Sequence, residues 1–250
     1  MSGARLILQA DDFGMCDAVN DGIVAAFRAG TLTQASLMVP CPRFEGAVAL
    51  AREHAIPVGV HGTLTCEWDF LRWGPLTDGA SLTEPDGTQH RTVDGAVKAL
   101  DAGEAGAELI AQHTRLGAAG LTPVYIDCHM GPTSRDGYDV ACRETGLPFL
   151  YPMIDASLHF DSIAMISPLP ATDKKPWLLD RIAGFRSGTH LIVTHPAVDT
   201  PELREITRRD NENYEWAEPN RTSDLAVLLD PQVPRAIEAA GVELITAADV

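Results

Sequence analysis

The sequence predicts an α/β protein folded as one distorted (β/α) barrel with about seven parallel strands. Three observations predict it. Short apolar runs bounded by turn residues alternate with stretches of helical period along most of the chain. The length, 250 residues, is that of a single α/β barrel. Four of the apolar runs end in Asp or His, and parallel sheets gather their chemistry at the carboxyl ends of strands. No linker, repeat or low-complexity segment divides the chain, so one domain over residues 1–250 is expected.

Leu6-Ile7-Leu8 reads as a buried first strand that runs into Asp11-Asp12-Phe13-Gly14. Adjacent carboxylates repel, and one pKa rises unless a cation or proton is shared. The same pair also reads as a solvated turn punctuated by Gly14. Val19, Ile23, Ala26 and Phe27 recur at helical spacing, with Asp17 placed to cap the start and Gly30 the end. Thr33–Val39 is a second strand, stopped by Pro40 and Pro42, and Phe44–His54 is an Ala-rich helix. Pro57–Leu64 is a third strand and carries His61. Residues 65–92 break the rhythm with Trp68, Phe70 and Trp73. This aromatic loop is either a substrate wall that includes Trp68 and Trp73 or a small satellite core that pins the loop. Val93–Leu100 and Gly103–Ala119 are helical. Pro123–His129 is a fourth strand, Tyr138–Thr145 a short helix and Pro148–Tyr151 a fifth strand. Residues 155–173 are irregular, and Trp177–Phe185 is helical. Thr189–Pro196 is a sixth strand that ends at His195. Pro201–Asn220 is polar and charged, with Tyr214 and Trp216. Helices over Ser223–Leu229 and Val233–Ala240 lead to a last strand, Val242–Thr246.

Composition bounds the partners. With 19 Lys+Arg against 35 Asp+Glu, the net charge of −16 disfavours nucleic acid and anionic membranes, both of which need basic patches. Neutral ligands such as sugars are not disfavoured, and a homodimer stays open. Residues 1–14 lack the basic start, apolar core and cleavage site of a secretory leader. No apolar run reaches the roughly 18 residues of a membrane span. The five cysteines form no Cys-x-x-Cys pair, which suits free thiols in a reducing cytoplasm better than disulfides or a structural zinc.

If the strands are parallel, Asp11, Asp12, His61, His129 and His195 surround one pocket. A carboxylate with two imidazoles is a facial set for a catalytic metal that leaves positions open for water and substrate. Asp12 is the carboxylate ligand in this reading, with His61 and His129 as the imidazoles. Asp11 is the base that deprotonates water. His195 is the acid that protonates a leaving amine, or an electrostatic stabiliser. Asp127, two residues before His129, shares its strand face and is placed to orient a ligand imidazole from behind. A strand-end His read alone is more often satisfied by a backbone carbonyl than by a metal; the coincidence of the Asp pair with three of them raises the joint reading. His54, His90, His113, His159 and His190 fall in helices, loops or mid-strand and read as surface or structural groups.

Ala10-Asp11-Asp12-Phe13-Gly14 resembles the opening motif of the YdjC/ChbG carbohydrate deacetylases. Gly59-Val60-His61-Gly62-Thr63-Leu64-Thr65, Ile126-Asp127-Cys128-His129 and His195-Pro196 are similar to later motifs of that family, in the same order. The segment from Arg221 to Leu229 and Gly241-Val242-Glu243-Leu244-Ile245-Thr246 resemble its closing pattern. The resemblance implies a barrel-like fold related to polysaccharide deacetylases. It also implies a divalent metal, magnesium by that resemblance, and acetyl removal from N-acetylated sugars such as chitooligosaccharides; zinc is the alternative metal. It carries the metal ligands onto Asp12, His61 and His129 and the base onto Asp11. The chain departs from the pattern at Gly62, where family members have a bulkier residue, at Met130 and Gly131, where further histidines are common, and at His190, where Glu is common.

The function expected is metal-assisted hydrolysis of the acetamido group of an N-acetylated sugar or oligosaccharide. A metal-dependent phosphoester hydrolase is the second enzymatic reading, although no Gly-rich phosphate cradle is present. A catalytically silent sugar- or metal-binding barrel is the third.

Overall fold

The computed structural model describes residues 3–207 and 217–250. Tyr214 and Trp216 lie outside the described residues. In chain order the strands are β1 (Gly3–Phe13), β2 (Gln34–Leu37), β3 (Val58–Gly62), β4 (Ile126–Cys128), β5 (Ser162–Met165), β6 (Ser187–Thr194) and β7 (Glu243–Leu244). The helices are α1 (Asp17–Arg28), α2 (Phe44–His54), α3 (Val93–Ala99), α4 (Ala102–Ala118), α5 (Arg135–Thr145), α6 (Ala171–Gly184), α7 (Pro201–Ile206), α8 (Ala217–Leu228) and α9 (Gln232–Ala240).

The sheet runs β4-β3-β2-β1-β6-β5, and all the pairings described are parallel. β1 is central. Along one edge it pairs with β6 from Gly3 to Ala10. Along the other it meets β7 at Arg5 and Leu6 and β2 from Gln9 onward. Beside the edge strand β4, Phe149 bridges Ile126 on one side and Ser157 on the other, and the chain then runs on into β5 at the opposite edge of the curled sheet. The result is the α/β fold expected, a distorted and incompletely closed barrel.

Two expectations about elements change. Pro148–Tyr151 is not a strand: Phe149 alone forms bridges, because Pro148 lacks a donor and Pro152 follows at once. Conversely, the stretch expected to be irregular contains β5. Its Ser-Ile-Ala-Met sequence lies at the sheet edge with Ile163 and Met165 exposed, so it carries no inward apolar signal. At the start of α1, Cys16 stands at the cap position and Asp17 falls in the first turn.

Alternation along the strands sorts the side chains. Leu6, Leu8 and Ala10 join the main core beneath the helices, with Val19 and Ile23 of α1 and Phe44 of α2. Ile7 of β1 belongs to a separate inner cluster with Leu191, Val193 and Ile245. Two residues further on, Gln9 meets Gln34, through the bond from Gln34 Nε2 to Gln9 Oε1 at 2.6 Å, and Asp127, through its own Nε2 at 2.9 Å. Next along this face comes Asp11. The barrel interior therefore passes from an apolar layer through a polar one to a row of titratable groups.

An irregularity in β1 matters most for function. Ala10 pairs with Ala35 and Phe13 with Leu37, so Asp11 and Asp12 together face the single residue Ser36. One extra residue on one strand is a bulge. Asp12 accommodates it with φ of 70°, a left-handed conformation that few residues other than Gly adopt and that Asp tolerates better than most. In an unbroken strand two successive side chains point to opposite faces. The bulge turns both carboxylates into one cavity.

Two glycines of β3 make room beside His61. A Cβ added at Gly59 would lie 2.2 Å from the Tyr125 ring, and one at Gly62 would lie 2.6 Å from the Tyr138 ring. The Tyr138 hydroxyl donates to the Gly62 carbonyl at 2.8 Å. All five cysteines are free and buried. His190 stacks on Phe185 at 3.9 Å between ring centroids and bonds Ser162 Oγ, and His90 bonds the Ser81 carbonyl. No described helix is long and apolar enough to cross a membrane.

Candidate metal centre

Asp12, His61 and His129 converge. Asp12 Oδ1 lies 3.3 Å from His61 Nε2 and 3.2 Å from His129 Nδ1, and all three residues are buried. The far nitrogen of each imidazole meets a carboxylate. His61 Nδ1 is 2.7 Å from Asp127 Oδ1, and His129 Nε2 is 3.0 Å from each Glu67 oxygen. Asp127 thus stands behind His61 on the neighbouring strand, not behind the histidine two residues along its own strand. Asp127 is held in turn by donors from Gln9 at 2.9 Å and Ser36 Oγ at 2.6 Å.

These contacts test whether a cation fits. An imidazole that gives its one N–H to a carboxylate presents a lone pair at its other nitrogen. Two such lone pairs and Asp12 Oδ1 point at one another, and Asp12 Oδ1 is buried without a hydrogen-bond partner. Donors that repel unless something positive sits among them are the mark of a metal site. A second set of residues, Asp11, His61 and Asp127, lies close enough for the same role. There the Gln9 amide already bridges the carboxylates, at 2.7 Å to Asp11 Oδ1 and 2.9 Å to Asp127 Oδ2. The residues fit a cation at the first set.

Electrostatics agree with the geometry. Burial works against the Asp12 charge, but Arg221 Nη2 at 2.6 Å from Oδ2 and the two imidazoles hold its carboxyl well below the usual range. Burial also opposes the His129 charge, yet Glu67 and Asp12 raise the imidazole to about 9. Against burial, Asp127 and Asp11 raise His61 well above its usual value. The surroundings of both rings therefore favour positive charge. Burial lifts Asp11 to about 7 against the pull of His61, with Asp127 and Asp12 adding to the rise.

His195 lies just beyond the end of β6, with Nε2 3.9 Å from Asp11 Oδ2. Ser167 Oγ donates to Asp224 Oδ2 at 2.6 Å and so accepts from His195 Nδ1 at 2.8 Å. That leaves Nε2 facing Asp11. Lys174 Nζ closes the line at 2.6 Å from Asp224 Oδ1, with both groups fully buried. Burial depresses the His195 imidazole to about 4, Arg221 adding to the effect and Asp12 opposing it.

The groups open into a cavity of about 890 Å³, within the usual range for small-molecule sites. Above its polar floor the cavity is bordered by Trp68, Met130, Tyr151, Met153 and Met165. Trp68 is a wall residue, and the Arg221 guanidinium lies 5.8 Å from its ring centroid. Trp73 is not among the described residues lining the cavity. It is 4% exposed, sits edge-on to His129 at 6.1 Å between ring centroids, and donates Nε1–H to the Thr65 carbonyl at 2.9 Å. Met130 and Gly131 form a tight turn after β4, with φ of 58° and 111°.

The structure thus brings Asp11, Asp12, His61, His129 and His195 to one cavity, with Asp127 behind His61. Sequence reasoning missed Glu67, Gln9 and the Ser167–Asp224–Lys174 line. Gln9 left one signal, a polar residue on the same strand face as Asp11 inside an apolar run. Glu67 left none, because loops carry no periodicity.

Fold and site together define a curled-sheet α/β protein with a buried Asp-His-His set suited to a divalent cation. Residues 5–239 match the family described as YdjC-like protein, and the chain belongs to that family. It is similar to a carbohydrate deacetylase of Geobacillus stearothermophilus, 31% identical over 258 residues that cover 96% of this chain and 95% of the relative. A carbohydrate deacetylase of Thermus thermophilus is 30% identical, covering 95% of this chain and 91% of the relative. Among solved structures, an Enterococcus faecalis V583 protein described as a candidate for cellobiose-phosphate cleavage superposes with a TM-score of 0.80 at 24% identity, covering 99% of each chain. A family 4 carbohydrate esterase of Streptomyces lividans shares the fold with a TM-score of 0.55 at 12% identity, covering 98% of this chain and 94% of the other.

Proposed function

We propose that this protein is a metal-dependent carbohydrate deacetylase that hydrolyses the acetamido group of a small N-acetylated sugar. One observation carries the reading: the facing donors of Asp12, His61 and His129 sit beside Asp11 and His195 on the floor of a single cavity. The names of the full-length relatives support the substrate class. Asp12, His61 and His129 would hold the cation. Magnesium follows from the family resemblance, and a set of two nitrogens and one oxygen suits zinc as well. When bound, a divalent cation supplies Lewis-acid polarisation of the acetyl carbonyl and lowers the pKa of a water molecule.

The chain's own groups do the rest. Gln9 fixes one oxygen of Asp11, so the other faces the cavity to take a proton from water. The proton that Asp11 takes from water passes to His195 Nε2, 3.9 Å from that oxygen, and from there to the departing sugar nitrogen. Ser167 and Asp224 hold the far side of its ring and keep Nε2 turned toward the reaction. Arg221 keeps Asp12 ionised. Arg221 is the one Lys or Arg among the described lining residues, set against the carboxylates of Asp11, Asp12 and Glu67, and this excess of negative charge disfavours a phosphate dianion and favours amide over phosphoester chemistry. A cytoplasmic location belongs to the same proposal and is supported by five free, buried thiols.

The test is a panel of N-acetylated sugars assayed for acetate beside p-nitrophenyl phosphate assayed for phosphate. Acetate release from at least one sugar is expected, lost after chelation and restored by adding back the cation. Phosphate release without acetate would replace the reading with phosphoester hydrolysis. Sugar binding without either product would replace it with a silent binding barrel.

A further inference from the structure

The two imidazoles of the centre do not present the same nitrogen. His61 faces Asp12 with Nε2, whereas His129 faces it with Nδ1. A neutral imidazole carries one N–H, and the group that accepts it decides which nitrogen keeps a lone pair. For His129 that acceptor is Glu67, whose two oxygens lie 3.0 Å from Nε2. An ionised carboxylate only accepts, so the proton is pinned on Nε2 and the lone pair on Nδ1. The backbone N–H of His129 donates to the Gly62 carbonyl at 3.1 Å, and Trp73 lies edge-to-face with the ring at 6.1 Å between centroids.

Glu67 also differs from its counterpart. Asp127 sits inside the barrel and takes further hydrogen bonds from Gln9 and Ser36, so changing it disturbs the interior. Glu67 sits in the loop after β3, lines the cavity and makes its described hydrogen bonds to His129 alone. It can be replaced without removing a support of the sheet.

We infer that Glu67 is the positioning residue that fixes His129 in the Nε2–H form, so that Nδ1 is the nitrogen offered to the cation. The inference rests on the reading of Asp12, His61 and His129 as the ligand set. Outer carboxylates of this kind are worth about 10- to 100-fold in metal affinity.

The experiment uses the full chain and zinc alone, with no substrate. Zinc affinity is measured by calorimetry for the parent protein, Glu67→Met, which keeps length without an acceptor, and Glu67→Gln, whose amide oxygen still accepts. Imidazole nitrogen NMR of the zinc-loaded parent reads which His129 nitrogen carries the proton. Expected are a protonated Nε2 in the parent, zinc affinity weakened about 10- to 100-fold in Glu67→Met, and partial recovery in Glu67→Gln. Circular dichroism and the melting temperature of the zinc-free proteins are expected to be alike. Parent affinity in Glu67→Met, or His129 metallated through Nε2, would overturn the role of Glu67 while leaving the ligand set standing. A parent protein that binds no zinc would overturn the ligand set and the inference together. If Glu67→Met is misfolded, the His129 proton position in the parent decides alone.

Discussion

Asp11→Asn is expected to lower acetate release by about 10²–10⁴-fold, the usual contribution of a positioned proton acceptor, while leaving bound metal unchanged. Asn keeps the shape of Asp and can still accept from Gln9 at the position of Oδ1, a bond of 2.7 Å in the parent. What it loses is the basic oxygen that faces His195 across 3.9 Å. Asp11 is not one of the three residues Asp12, His61 and His129, so the substitution removes none of their donor atoms. Acetate assays and elemental analysis of the same preparation separate the two effects. A variant with parent turnover would remove Asp11 from the proton path.

His61→Ala is expected to have the second large effect, on metal content and stability together. The imidazole links two carboxylates, Asp127 at 2.7 Å and Asp12 at 3.3 Å. Without it one of the facing donors is gone, and Asp12 and Asp127 lose the ring that separates their charges. Removing one partner from a buried charged pair typically costs about 3–5 kcal/mol. Bound metal should fall by more than about 100-fold, beyond what an outer partner contributes, and the denaturation midpoint should drop. Metal analysis and denaturant titration check both. Unchanged metal content would take His61 out of the ligand set. Removal of Asp12 is a less clean test, because its side chain is placed by a backbone with φ of 70° that most replacements resist.

Much of this site was legible in the chain. Leu6-Ile7-Leu8 is an apolar run that ends in acid, and His61, His129 and His195 end or follow strands of the same parallel sheet. Parallel strands put such residues at one end whatever their distance in sequence. The convergence of the Asp pair was not legible in the same way. Period-two alternation places Asp11 and Asp12 on opposite faces, and only the bulge at Ser36 brings them together. No glycine marked it. Glu67 was hidden by its loop, and β5 by its exposed edge. The line from His195 through Ser167 and Asp224 to Lys174 joins a loop to α8 and α6, so no local spacing announces it. Trp73 read as a substrate wall beside Trp68 or as a satellite core, and nothing in its spacing shows that its ring lies against His129.

Gly62 and Tyr138 show what such fitting implies for change over generations. A methyl at residue 62 would come within 2.6 Å of Tyr138, 2.7 Å of Leu109 and 2.8 Å of the Asp127 carbonyl oxygen. Enlarging residue 62 alone drives a side chain into occupied space beside His61. Shrinking Tyr138 alone opens a void and removes the hydroxyl from the Gly62 carbonyl. Cutting down Tyr138 would clear only one of these three contacts, so a larger residue at 62 also needs Leu109 to give way and the backbone of β4 to shift.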